Sequence, residues 1–290
     1  MAVGQWRFRS AWRAGLVFRM AIRTSIALVV GLTSLVHVAA AQRPPASNRL
    51  EYTIQSTKLG TARKILIVTP QEYSEPESRF GVLVLLDAED SIQFDAAVAN
   101  VAFLASRKQI GPMIIVGVPN GRSRTHDLTP RPTARTAREN RNAGGAAAMA
   151  SFVVDEVLPF VRSKYRTMPT TVLAGHSFGG LFALHVAATK PDAFGGIIAM
   201  SPALWWNEWT AINAYADSIA KSSAPLRLFA TSGGLERDID VTTRRFAARL
   251  DSIKPSTLRF AYKRYPDDTH SMTPLSSLID GLRFVVGTRD

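Results

Sequence analysis

The chain has 290 residues, of which 46% are apolar, and its formal charge is +12. Length alone leaves room for one large domain or two small ones, and the apolar share is that of a folded globular protein. It has no cysteine, which excludes a disulfide framework, a thiolate metal site and a cysteine nucleophile.

Residues 1–41 carry five arginines and no acidic residue, then an apolar run over 26–40, and close on Ala39, Ala40 and Ala41. A positive front, an apolar core too short for comfortable membrane spanning and a small-residue end predict a secretory signal peptide cleaved before Gln42. The front is long, which leaves Met20 as an alternative start and a retained anchor as the competing reading. It holds no adjacent arginine pair, so the general export route is expected over the twin-arginine one. The remaining 249 residues keep a formal charge of +7. An exported basic protein, periplasmic or secreted, meets acidic lipid, polyanionic glycans or an anionic substrate, and nucleic acid is not expected as a partner.

Residues 42–49 read as a linker, and 50–290 as one domain without internal repeat or composition break. Residues 51–56 and 63–68 predict an antiparallel edge pair turning at Gly60. The continuous apolar run 81–86 predicts a central strand covered on both faces, and 92–106 a helix with Phe94, Val98 and Val101 on one side. Another buried strand follows over 113–118. Residues 119–145 then form a long polar loop with six arginines, of the kind that is functional or disordered. Val153, Val157, Phe160 and Val161 mark a helix that Pro159 should kink. Further strands are predicted at 171–174, 196–200, 226–231 and 257–265, with helices after residue 180 and over 207–221, 241–253 and from Pro274 onward. Strands alternating with helices predict an α/β fold, a mostly parallel central sheet with helices on both faces.

Gly175, His176, Ser177, Phe178 and Gly179 form a Gly-x-Ser-x-Gly pattern between a predicted strand and a predicted helix, the setting of a nucleophile elbow. Ligands of an open α/β sheet gather at the carboxyl ends of its strands. Ser177, Glu236 and His270 each follow a strand there, in the order nucleophile, acid, base. Of the five histidines, elimination by position leaves His270 as general base. The acid that orients its imidazole is Glu236, with Asp238 as runner-up and Asp240 a third carboxylate in the same stretch. The oxyanion hole needs two backbone N–H donors, expected from Phe178 and Ala88.

Several strings beyond the elbow resemble one family. They are Leu85 to Glu89, Val116 to Asn120 with Arg124 to Pro130, Ala174 to Leu181, Ser201 to Trp206, Gly233 to Glu236, and His270 with Asp280 to Leu282. Together these make the chain similar to bacterial esterases of the esterase D and enterochelin-esterase-like group, within the α/β-hydrolase superfamily. The resemblance implies an α/β-hydrolase fold and a serine hydrolase that cleaves carboxylic esters with no metal or other cofactor, Ser177, Glu236 and His270 being the matching triad positions. It departs at Ala88, where the family often has glycine. Members hydrolyse siderophore trilactones, acylated sugars and small thioesters, so the resemblance implies a small-molecule ester without naming it. Trp205 and Trp206, with Trp209, are candidates to wall an aryl or acyl pocket, and Arg124 to hold an anionic substrate. An acyltransferase using the same triad, and a binding protein that has kept only the fold, stay open as alternatives.

Overall fold

The computed structural model describes residues 49–121 and 123–287. The expected signal peptide over 1–41 lies outside them, as do nearly all of the linker and Arg122; Arg49, assigned to the linker, opens the first strand. Among the described residues no helix is long and apolar enough to cross a membrane.

The described strands form one eight-stranded sheet. β1 (Arg49–Ser56) and β2 (Thr61–Val68) are the antiparallel pair expected from sequence, turning at Gly60, which has φ +64°. β2 also runs antiparallel to β4 (Met113–Val118). From there the order is β4, β3 (Phe80–Leu86), β5 (Thr167–His176), β6 (Gly196–Met200), β7 (Leu226–Gly233) and β8 (Leu258–Tyr265), all parallel.

β3 is buried along its whole length, and its side chains divide between two cores by the two-residue strand period. Val82, Val84 and Leu86 face a core shared with α5 (Leu158–Lys164), α6 (Phe178–Thr189), α7 (Thr210–Ala220) and α8 (Arg237–Ile253). Leu83 and Leu85 face a second core, closed by Phe94, Val101 and Leu104 of α1 (Ser91–Ser106) and Leu278, Leu282 and Val285 of α9 (Thr273–Val286). The chain leaves β3 for β4 on one side and returns for β5 on the other. The sheet therefore reverses direction beside β3, where the carboxyl ends of β3 and β5 open a crevice.

Two stretches differ from expectation. The polar loop contains two short helices, α2 (Arg124–Leu128) and α3 (Ala134–Glu139), each started by a hydroxyl that accepts an amide hydrogen: Ser123 from His126 and Thr133 from Thr136. A buried ion pair between Arg63 and Asp127 (2.8 Å) fastens this segment to β2. The helix before β5 changes its winding just ahead of Pro159. It starts as α4 (Ala146–Ser151), widens into a π turn at Phe152–Val157, and resumes as α5 with Pro159 in its first turn.

The π turn also presents Glu156 to the β1–β2 hairpin. Its carboxylate accepts from Ser56 Oγ (2.5 Å), Thr57 N (2.8 Å), Thr57 Oγ1 (2.6 Å) and Lys58 N (3.3 Å). Desolvation pushes this carboxyl up, and the four bonds more than offset it, holding the group below the ordinary carboxylate range. Glu156→Ala is expected to lower stability by about 1 kcal/mol, read as a drop of about 2–4 °C in a thermal melt. Because the folded-state value is the depressed one, the contribution is complete above the unfolded carboxyl's titration and is lost as pH falls through the folded value. The gap between parent and variant should thus close in acid.

Candidate active site

Ser177 ends β5 and opens α6 with φ 61° and ψ −117°, a strained conformation for a residue with a side chain. Surrounding backbone over-determines it. Its N–H donates to the Met200 carbonyl (3.0 Å), and its own carbonyl accepts from Leu181 (2.9 Å) and Ala203 (3.1 Å). The flanking glycines are required by contact: a Cβ on Gly175 would stand 2.5 Å from the carbonyl carbon of Gly179, and one on Gly180 2.9 Å from the Met200 carbonyl oxygen. Strand and helix close to this distance only without side chains there.

Glu236 lies just past β7 and His270 past β8. What joins the two loops is a pair of glycines. A Cβ on Gly233 would stand 2.4 Å from the Asp268 carbonyl oxygen and one on Gly234 2.1 Å from that of Pro266, so the loop bearing Glu236 lies directly on the loop bearing His270. Gly234 N donates to Tyr265 O (2.7 Å) and Leu235 N to Asp268 O (3.2 Å), fixing the contact.

In that arrangement His270 Nδ1 is 3.2 Å from Glu236 Oε1. The same oxygen accepts from Ser201 Oγ (2.8 Å) and Thr273 Oγ1 (3.2 Å). The Glu236 side chain is 0% exposed. Burial pushes its carboxyl up, yet the hydrogen bonds from His270 and Ser201 more than offset this and keep it below the ordinary range, hence ionised at neutral pH. Asp238, the runner-up acid, is exposed in the first turn of α8. Asp240 is buried but committed elsewhere, to Ser232 Oγ (2.8 Å), Arg264 (3.2 Å) and Arg244 (3.4 Å).

The ring of His270 packs on that of His176, with centroids 4.3 Å apart, which sets it beside the elbow because His176 is the chain neighbour of Ser177. Burial, reinforced by the adjoining His270, draws the His176 pKa down to about 4, so this ring is neutral. Sequence reasoning passed over His176, Ser201 and Thr273 as parts of the site.

The two expected oxyanion donors sit on either side of the crevice. Phe178 is the first residue of α6, and a first-turn amide has no partner within its helix. Ala88 is buried and follows Asp87, whose φ of 57° turns the chain at the end of β3. Arg124 links the two sides. Its Nε and Nη2 donate to Asp87 Oδ1 (2.6 Å) and Oδ2 (2.8 Å), and Nη2 also donates to the His176 carbonyl (3.0 Å). Its guanidinium thus has a carboxylate partner within the protein, a task different from the expected hold on an anionic substrate. Asn120 adds a bond to Asp87 Oδ1 (2.6 Å) and two to Glu89 (2.6 and 3.0 Å).

The tryptophans divide. Trp206 is 0% exposed and does not wall a pocket as expected: its ring is core, edge-on to Phe178 at 5.6 Å, and its Nε1 donates to the Pro130 carbonyl (3.3 Å). Trp205 and Trp209 are each 37% exposed. With Arg135, Thr136 and Glu208 they line a cavity of about 330 Å³, and Trp205 touches Phe178 at 5.7 Å between centroids. A larger cavity, about 680 Å³, lies at the opposite edge of the sheet, by Thr170, Leu226 and Leu258 where β5, β7 and β8 begin, away from Ser177.

Comparison with known proteins gives the family of the chain. The chain is 27% identical over 219 residues to the ferri-bacillibactin esterase BesA of Bacillus subtilis, covering 67% of this chain and 75% of that one. It is 37% identical over 105 residues to the siderophore triacetylfusarinine C esterase of Aspergillus fumigatus, a match that covers 33% of this chain and only 35% of the fungal protein. The structure of an IroE-like serine hydrolase from Shewanella oneidensis superimposes with a TM-score of 0.75 at 28% identity, covering 81% of this chain and 79% of that one. Residues 56–274 match the family described as "Putative esterase", so the chain belongs to that family, has its α/β-hydrolase fold and is a carboxylic-ester hydrolase.

Proposed function

We propose that the chain is an exported serine esterase that works through an acyl-enzyme, with Ser177 as nucleophile, His270 as general base and Glu236 as the acid that orients it. The observation that carries this reading is the buried, ionised Glu236 carboxylate 3.2 Å from His270 Nδ1, beside a serine held at φ 61° on an elbow. With Nδ1 directed at the carboxylate, Nε2 is left to take the Ser177 hydroxyl proton. The serine oxygen attacks the ester carbonyl, and the carbonyl oxygen, now an anion, takes hydrogen bonds from the N–H groups of Phe178 and Ala88. Collapse breaks the C–O bond to the alcohol, which leaves with the proton from His270. Water then attacks the acyl-serine by the same proton route in reverse. Arg124 acts by position: its bonds to Asp87 and the His176 carbonyl hold the two oxyanion donors at a fixed separation.

The substrate is proposed to be an ester of a small acid, with siderophore esters the leading class because the relatives above are named for them. An aromatic group fits the Trp205 and Trp209 cleft, which adjoins the elbow through Phe178. Export rests on the residues 1–41 pattern. The test is to react residues 42–290 with a fluorophosphonate, locate the adduct by peptide mass spectrometry, and assay short-chain, aryl and trilactone esters. The adduct is expected on Ser177, and the highest kcat/KM on aryl or trilactone esters. Labelling at another residue would overturn the assignment of the nucleophile.

A further inference from the structure

Two buried polar atoms beside the triad have no use in ester hydrolysis as described. Among the described residues neither His176 Nε2 nor Glu236 Oε2 has a hydrogen-bond partner. Unpaired buried groups of this kind are rare because each forgoes the hydrogen bonds it would make in water. The two residues belong to one cluster: His176, Glu236 and His270 each offer one ligating atom within 4.8 Å of the other two. Two imidazoles and a carboxylate are a zinc donor set. The unpaired His176 Nε2 and Glu236 Oε2 are donor atoms of the two types that zinc takes, imidazole nitrogen and carboxylate oxygen.

We propose that His176, Glu236 and His270 form a reversible inhibitory site for a divalent first-row transition ion, with Zn²⁺ the best match. Ligand atoms around tetrahedral zinc stand about 3.4 Å apart, so the widest pair here has to close by about 1.4 Å. His270 can supply that movement, because its side chain is 40% exposed and rests in a loop, whereas Glu236 is enclosed. An ion so held takes the carboxylate and the ring that the triad uses, and the free enzyme and the metal-bound enzyme exclude one another. Zn²⁺ is favoured over Mg²⁺ or Ca²⁺ because two of three ligands are imidazole nitrogens, and those ions select oxygen. Inhibition follows from occupancy of the site with no bond made or broken in the substrate.

The inhibition, though not the binding, rests on the esterase reading, and the experiment separates the two. Metal-stripped Ser177→Ala protein is titrated with Zn²⁺ by calorimetry, which needs no catalysis, while the parent is titrated during hydrolysis of an aryl ester. One Zn²⁺ per chain is expected, with a dissociation constant equal to the half-inhibitory concentration. His176→Asn is expected to raise both by at least about tenfold, each variant being scored against its own metal-free rate. His126→Asn, an exposed histidine on α2, should change neither, and Mg²⁺ should not compete. Should His176→Asn fail to fold, Glu236→Gln in the Ser177→Ala background carries the same test by calorimetry alone. Zinc affinity unchanged in a folded ligand variant, or no one-site binding, would overturn the site and leave the esterase standing. Binding that depends on His176 in a protein without esterase activity would do the reverse.

Discussion

Ser177→Ala and His270→Ala are each expected to lower kcat by about a millionfold, and the double substitution is expected to cost little more than either alone. The reason is that in the proposed mechanism the hydroxyl and the ring act as one device. A serine without its base is a weak nucleophile, and a base without the serine has no proton to take. Once either is gone the remaining rate comes from binding and from the oxyanion donors, typically about 10³–10⁴ over water. The measurement is kcat on an activated aryl ester for parent, both single variants and the double. Losses that multiply would show two independent contributions and end the reading of a shared proton route. A Ser177→Ala protein that kept more than about a hundredth of the parent rate would do the same.

The elbow at Ser177 was legible because its geometry is written in local residue types. The turn that holds Ser177 at φ 61° has Gly175 packed against the Gly179 backbone, and a β-branched run before and a helical run after give the turn its context. The partners of Glu236 were not legible. Ser201, Thr273 and His270 converge on Glu236 Oε1 from three loops far apart in sequence, and no periodicity reports which polar groups of different loops will meet. Gly233 and Gly234 have their structural reason in the backbone of the neighbouring loop at residues 266–268.

Aromatic residues in a loop are a weaker guide than aromatic residues on a strand or helix. Trp205 and Trp206 are adjacent, and in that loop one points outward while the other enters the core against Phe178. The loop itself ends later than the sequence suggests, because Asn207, Glu208 and Trp209 all adopt left-handed backbone (φ 54°, 51° and 68°) before α7 begins. Nothing in three polar or aromatic residues of this kind signals such a run. The helices hidden in the long polar loop did carry a signal, the capping hydroxyls of Ser123 and Thr133, which weighs little in so short a segment.

Glu236→Gln is expected to lower kcat by about 10⁴-fold while leaving the fold intact. In the proposed mechanism the carboxylate has two tasks at Oε1: it keeps the His270 proton on Nδ1, and it offsets the charge of the imidazolium formed as Ser177 attacks. An amide fails at one or both. Turned so that its NH₂ faces Nδ1, it forces the wrong tautomer; turned so that its oxygen does, it supplies no charge and buries an NH₂ where Oε2 had no partner. Asp238→Asn, on the exposed first turn of α8, should leave kcat within about twofold. Stability separates a catalytic cause from a structural one. Removing a charge from a fully enclosed side chain relieves its desolvation, which offsets weaker bonds to Ser201 and Thr273, so the melting temperature of Glu236→Gln should stay near that of the parent while its rate collapses. A variant within about tenfold of the parent rate, or an Asp238→Asn enzyme that loses as much, would move the acid away from Glu236.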